Sequence, residues 1–301
     1  MAGWTTILDT IGNTPLLRLD RIAGFPIYAK AEYLNPGGSI KDRVARHLIE
    51  QAEKRGELKP GMTIAEATSG NTGIGVTFVG VRKGYRVIIV MPDNMSEERR
   101  KIIKAFGGEL ICTPACESLN GCLKKLEELK REIPGLFIPG QFVNPDNPEI
   151  HYLTTAQEIW EQMEGQVDAF VAGIGSGGTL AGVGRFLKEK DPAIRVVAVE
   201  PANVSALLGQ EPGLHRIEGI GDGFIPDVLD VSIIDDVITV TDEDAITTAQ
   251  RLTLEEGALV GTSAGANVWA AMESARRIGQ GKKIVTVLPD RAERYFSTAL
   301  I

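Results

Sequence analysis

Cysteine and histidine are scarce in this chain, with three of each among 301 residues. Cys112, Cys116 and Cys122 crowd into one short window at C-x3-C-x5-C spacing. An odd count gives no disulfide framework. That spacing, with His47, His151 and His215 scattered, fits no tetrahedral zinc pattern, so ordinary thiols and no metal are expected. Long apolar runs are missing too. Stretches such as 87–91 fall far short of the roughly 20 residues a membrane helix needs, so no membrane partner is expected. The opening segment, 1–10, lacks a basic start followed by an apolar stretch; no signal peptide and a cytoplasmic location are the expectation. Positive charge is also in deficit: 32 Lys and Arg stand against 40 Asp and Glu, a net charge of −8. That balance argues against a nucleic-acid-binding surface.

What is present is a globular composition, 43% hydrophobic and 24% charged, with 34 glycines and no biased tract. Short β-branched runs alternate with helical patterns. Strands are expected over 63–68, 86–91, 109–113, 169–172, 195–200, 237–240 and 283–288. Each is continuously apolar, as in a sheet covered on both faces. Helices are expected over 41–55, 96–106, 119–132, 178–190 and 242–256. Ser96 and Thr241 stand at cap positions before acidic first turns, and Gly107-Gly108 closes the helix that Ser96 opens. The alternation predicts an α/β fold with mostly parallel sheets between helices. A seam is expected near 140–148, where Asn and Pro concentrate.

Three loops carry chemistry. Gly173-Ile-Gly-Ser-Gly-Gly-Thr179 follows a strand and opens a helix, which makes a phosphate cradle from backbone N–H groups and hydroxyls. It also matches G-x-G-x-x-G through Gly173, Gly175 and Gly178, and Glu200 ends the next strand where a ribose-binding acid would sit. An NAD-binding dehydrogenase is therefore open on this segment alone, as is a tight turn that binds nothing. Thr68-Ser69-Gly70-Asn71-Thr72-Gly73 puts several donors at a helix start, suited to a carboxylate or a cofactor face, or to simple capping. Asn35-Pro-Gly-Gly-Ser-Ile-Lys-Asp-Arg43 leads into an amphipathic helix. A lysine at such a start meets the positive end of the helix dipole, which disfavours its ammonium and frees an amine nucleophile. A solvated surface lysine is the plainer alternative.

In order and spacing, these loops resemble the cysteine synthase and cystathionine β-synthase family. Further matches are Ile11-Gly-Asn-Thr-Pro-Leu16, Gln141-Phe-Val-Asn-Pro-Asp-Asn-Pro148, Glu218-Gly-Ile-Gly-Asp-Gly-Phe-Ile-Pro226, Gly261-Thr-Ser-Ala-Gly265 and Leu288-Pro-Asp290, so the likeness spans nearly the whole chain. The resemblance implies a pyridoxal 5′-phosphate (PLP) enzyme of fold type II, the tryptophan synthase β-like class. In that class two open, twisted sheet domains hold the cofactor between them, here a smaller one, 42–146, and a larger one, 1–41 with 147–301.

Lys41 is implied as the Schiff-base lysine and the Cα base. Gly175, Ser176, Gly177, Gly178 and Thr179 are implied to hold the cofactor phosphate, Asn71 the ring hydroxyl and Ser263 the pyridine nitrogen. Thr68, Ser69, Asn71, Thr72 and Gln141 should bind the substrate, with Gly219 bordering it. The implied reaction is β-replacement on a serine- or cysteine-type amino acid through an aminoacrylate. Cysteine synthase, joining sulfide to O-acetylserine, is the leading form. The alternative is a compact cystathionine β-synthase or cysteine β-lyase that releases hydrogen sulfide and forms cystathionine, lanthionine or serine. Length matches the catalytic core without haem-binding or regulatory extensions. A homodimer is implied, and for some cysteine synthases a serine acetyltransferase tail in the active site.

Two departures stand out. Asp222 replaces the small residue common in cysteine synthases and is a candidate base toward water or a thiol; a solvent-facing loop aspartate is the plainer reading. Arg291-Ala292 replaces a frequent Ser-Gly and bears on the surroundings of the cofactor ring.

Overall fold

A computed structural model describes residues 5–68, 70–211, 213–279, 281–298 and 300. In chain order the strands are β1 Leu16–Leu19, β2 Ile27–Lys30, β3 Thr63–Ala67, β4 Arg86–Pro92, β5 Glu109–Thr113, β6 Ala169–Gly173, β7 Arg195–Pro201, β8 Asp236–Val240 and β9 Ile284–Val287. The helices are α1 Lys41–Arg55, α2 Asn71–Arg82, α3 Glu97–Ala105, α4 Ser118–Glu132, α5 Asp146–Ile150, α6 Ala156–Gln162, α7 Gly178–Lys190, α8 Asp242–Glu256 and α9 Thr262–Ile278.

Two sheets form. One runs β1-β2-β9-β6-β7-β8 and the other β3-β4-β5. Every pairing is parallel except β1 with β2. The periodicity explains the layering. On β6, Ala169 and Val171 enter one core while Phe170 and Ala172 enter the core on the opposite face. On β4, Val87, Ile89 and Met91 face one side, and Ile88 and Val90 the other. A strand covered on both faces has no polar side to alternate with, hence the unbroken apolar runs. β5 departs from that expectation. It is the edge of its sheet, and Glu109 and Cys112 are exposed.

Strands β1 and β2, of four residues each, and helices α2, α5, α6 and α9 escape the pattern reading. Glycines and small residues dilute the helical signal in α2 and α9. Between α5 and α6, residues His151–Thr155 form a π-helical turn. Capping is mixed. Thr241 Oγ1 accepts from the Asp244 N–H at 3.1 Å as expected. Ser96 does not cap with its side chain; its hydroxyl donates to the Arg294 carbonyl instead, at 2.7 Å, tying α3 to the final loop.

The loops that matter leave the carboxyl ends of parallel strands, where open α/β sheets hold ligands. The asparagine loop follows β3, the glycine loop β6 and Asp290 β9.

Helices α8 and α9 cross in contact at Gly265. A Cβ there would sit 1.9 Å from the Ala245 carbonyl oxygen and 2.7 Å from the Ala249 nitrogen, both backbone atoms. Gly265→Ala should therefore destabilise the fold by about 1–3 kcal/mol despite its better helix propensity. Urea unfolding checks this; a more stable variant would mean the two helices part freely.

Candidate active site

Loops from both sheets line one cleft, open to solvent. Lys41, Thr68, Asn71, Thr72, Gln141, Gly175, Ser176, Gly177, Gly178, Thr179, Gly219, Asp222 and Ser263 all line it. Residues from opposite ends of the chain thus share one surface. Ser69, expected beside them, lies outside the described residues.

Lys41 is the first residue of α1 and is partly buried. Its Nζ donates to Ser176 Oγ at 2.9 Å, so the amine lies against the glycine loop. Burial depresses its pKa to about 8, with the Asp222 and Glu66 carboxylates opposing. The neutral amine is thus accessible near physiological pH.

The glycine loop is shaped by close approach. A Cβ on Gly175 would lie 2.3 Å from the Gly219 carbonyl oxygen, and one on Gly178 would lie 2.1 Å from Asn147 Oδ1. Gly177 takes φ +79° to turn the chain into α7. The first N–H groups of α7, which have no carbonyl partner within the helix, open onto this floor. Thr179 Oγ1 is 3.4 Å from His151 Nε2. Burial, then the charges of Lys41 and Arg43, push the His151 pKa down to about 3, so its ring is neutral.

On the other wall, Thr72 Oγ1 donates to Gln141 Oε1 at 2.7 Å, and Thr68 Oγ1 accepts the Gly70 N–H at 3.0 Å. The Asn71 amide is held by Asp290 and Arg294. Tyr295 hydrogen-bonds the same Asp290 carboxylate. Ser263 is buried in the first turn of α9. The Asp222 carboxyl is raised by loss of solvation in the cleft, against Lys41 and His215. Its residue stays open to solvent at the cleft mouth, so water moderates that effect. The loop carrying it is fixed by His215, whose Nε2 lies 2.9 Å from the Gly221 carbonyl.

Pattern reasoning missed Asn147, Glu66, Arg99 and Glu218. Asn147 is buried and donates to both the Gln141 carbonyl (2.7 Å) and Ser176 Oγ (3.0 Å), joining the two walls. Its membership in the Asn-Pro-rich segment was the only signal. Arg99 pairs with Glu218 at 2.8 Å across the cleft. Arg291 turns to the Tyr33 carbonyl at 2.8 Å and does not line the cleft. Glu200 does not serve a nucleotide ribose. It is buried and taken up by Ser205 Oγ (2.6 Å) and the Ala206 N–H (3.0 Å), and with it the dehydrogenase reading falls.

Residues 7–290 match the family described as pyridoxal-phosphate dependent enzyme. The chain belongs to that family. It is 50% identical to a cysteine synthase of Staphylococcus aureus over 298 residues, 98% of this chain and 96% of that one. An O-acetylserine-dependent cystathionine β-synthase from Helicobacter pylori superposes with a TM-score of 0.94 at 43% identity, covering 100% of this chain and 99% of that one. A hydrogen sulfide-producing enzyme from Fusobacterium nucleatum gives a TM-score of 0.94 at 42% identity, with 97% and 100% covered. The fold is PLP fold type II, and the protein is a PLP-dependent enzyme of cysteine synthase type.

The residues fit that cofactor. An amine of lowered pKa suits its aldehyde. It stands 2.9 Å from a loop so tightly packed that no Cβ fits at 175 or 178, and that loop opens a helix as a phosphate requires.

In the cofactor-free protein, labelling of Lys41 by trinitrobenzenesulfonate should rise with a midpoint near pH 8. Burial removes the proton early, and the neutral amine is the reactive form. Peptide mass spectrometry reads the site; a midpoint near the ordinary lysine value would contradict the burial.

Proposed function

We propose that this enzyme replaces the acetoxy group of O-acetylserine with sulfide, forming cysteine and releasing acetate. Lys41 carries the reading: a depressed amine between the glycine loop and the asparagine loop. PLP, when bound, supplies an electron sink for the pair left at Cα. Lys41 anchors it and, once freed, takes the Cα proton as general base. Gly175, Ser176, Gly177, Gly178 and Thr179 grip the phosphate. Asn71 faces the ring hydroxyl, held in orientation by Asp290 and Arg294. Ser263 offers the ring nitrogen a neutral hydroxyl, which holds a proton there less firmly than a carboxylate would and so favours expulsion of the β-substituent.

Thr68, Ser69, Thr72 and Gln141 take the substrate carboxylate, with Gly219 at its edge. The unit 42–146, carrying the three-stranded sheet, closes against 1–41 with 147–301 and excludes water. A cytoplasmic homodimer, with a serine acetyltransferase tail as a further ligand of the cleft, completes the reading.

Adding O-acetylserine to the holoenzyme should change its visible band, and sulfide should restore it while cysteine accumulates. A band that responds to cysteine with sulfide release, and not to O-acetylserine, would overturn the synthetic direction.

One observation favours a second activity. Asp222 lines the cleft and acts electrostatically on Lys41. From there a carboxylate can deprotonate water or a thiol for addition at the β-carbon, with release of sulfide from cysteine. The names of the Helicobacter and Fusobacterium relatives are consistent with such chemistry. Asp222→Asn should lower sulfide release from cysteine by roughly 100-fold, within the span of general-base effects, and spare cysteine formation. Equal rates in both proteins would remove Asp222 from the chemistry.

A further inference from the structure

Behind the wall that carries Gln141 lies an acid the reaction outlined above does not use. Glu66 is the fourth residue of β3 and is 2% exposed, in a strand whose every residue is buried. Strand residues alternate in direction, and its neighbours Ala65 and Ala67 enter the core under α4. Glu66 therefore points the other way. There its Oε2 accepts the Gly140 N–H at 3.0 Å, and the Gln141 N–H is also directed at its carboxylate. A buried carboxyl with so few partners is costly unless the arrangement does something.

What it holds is specific. The Gly140–Gln141 turn leaves the last segment paired with β3, where the Ala65 N–H donates to the Phe137 carbonyl at 2.9 Å. Gly140 sits at φ +67°, a conformation that favours glycine and sets the direction of the next residue. Beyond it the Gln141 side chain accepts from Thr72 at 2.7 Å, and the Gln141 carbonyl accepts from Asn147, which also reaches Ser176. Ser176 in turn accepts from Lys41. A chain of hydrogen bonds thus runs from Glu66 through Gln141 and Asn147 to the reactive amine.

We propose that Glu66 is a positioning residue for the substrate carboxylate. From behind the wall it fixes the backbone of Gly140 and Gln141, so that the Gln141 amide and the Thr72 hydroxyl present a preformed pair of contacts to the incoming amino acid. Gln141 is the residue that touches substrate, and Glu66 acts through it. Burial raises the Glu66 pKa to about 7, while the Gly140 and Gln141 N–H groups and the Lys41 charge oppose that rise. The two N–H groups it orders thus favour its ionised form.

The inference rests on the β-replacement reading and is tested on the holoenzyme with Glu66→Gln. A glutamine keeps one acceptor oxygen but replaces the other, and the negative charge, with a neutral NH2 donor, which weakens its hold on the two backbone N–H groups. The KM for O-acetylserine should rise roughly ten-fold or more, in keeping with loss of a hydrogen bond to a charged group. The KM for sulfide should hold, and kcat should fall less than the amino-acid KM rises. As a readout apart from turnover, the dissociation constant of L-norvaline, which has no leaving group on Cβ, should rise in parallel when followed by the visible band.

Gln141→Ala combined with Glu66→Gln should lose no more than Gln141→Ala alone, because one residue acts through the other. Should Glu66→Gln not fold, Glu66→Asp keeps the charge and shortens the reach, and the same split is expected in smaller degree. Unchanged norvaline binding, or equal losses in kcat and in both KM values, would overturn the proposal. Failure of the wild-type enzyme to make cysteine from O-acetylserine and sulfide would overturn the parent reading instead.

Discussion

The site depends on a buried cluster of charges that fixes where α1 begins. Arg43, two residues beyond Lys41, is 2% exposed and pairs with Glu32 at 2.8 Å and Glu158 at 2.6 Å. Lys30, at the end of β2, reaches the same Glu158 at 2.7 Å. Burial opposes ionisation of Glu32, yet Arg43 and its hydrogen bonds outweigh that and hold the pKa at about 2. Such a cluster adds little net stability over an apolar core, but losing one partner costs about 3–5 kcal/mol because a buried charge is left uncompensated. Its contribution is geometric. It clamps the first turn of α1 to the six-stranded sheet and to α6, so Lys41 has little choice of position.

From that fixed amine the site extends in two directions. Toward the six-stranded sheet lies the glycine loop, packed so closely on Gly219 and Asn147 that its backbone forms the cleft floor. Toward the three-stranded sheet lie Thr68, Asn71 and Thr72, at the start of α2 and facing Gln141. Asn147 and the Arg99–Glu218 pair bridge the two. These bridges make the cleft a single electrostatic unit. Asp222 and Glu66, from separate elements, both act on Lys41 through their charge.

The cleft lining is of mixed polarity, with hydroxyls, amides and charged groups set among apolar side chains. Hydroxyl and amide groups stand on one wall, and the glycine loop and the Lys41 amine on the other.

Sequence by itself determined the chemistry-bearing loops and most of the scaffold. Apolar runs marked seven of the nine strands among the described residues, and Lys41–Arg55, Gly178–Lys190 and Asp242–Glu256 were legible to their ends. They were legible because burial on both sheet faces, cap chemistry and glycine punctuation leave local traces. The family followed from loops whose order and spacing are themselves local facts. Tertiary structure alone decided the rest. Strands of four residues and glycine-rich helices carry too little periodic signal, and Ser96 gave its hydroxyl to a carbonyl 198 residues away instead of to its own helix. Glu200 looked like a ribose ligand until its neighbours were known. Glu66 and Arg99 carry no motif, and the segment that holds Asn147 does not disclose its bonds, since their contacts arise from what lies across the cleft or behind its wall. Contacts such as Glu66 with Gly140 and Arg99 with Glu218 join residues far apart in the chain, and no short window of sequence contains both partners.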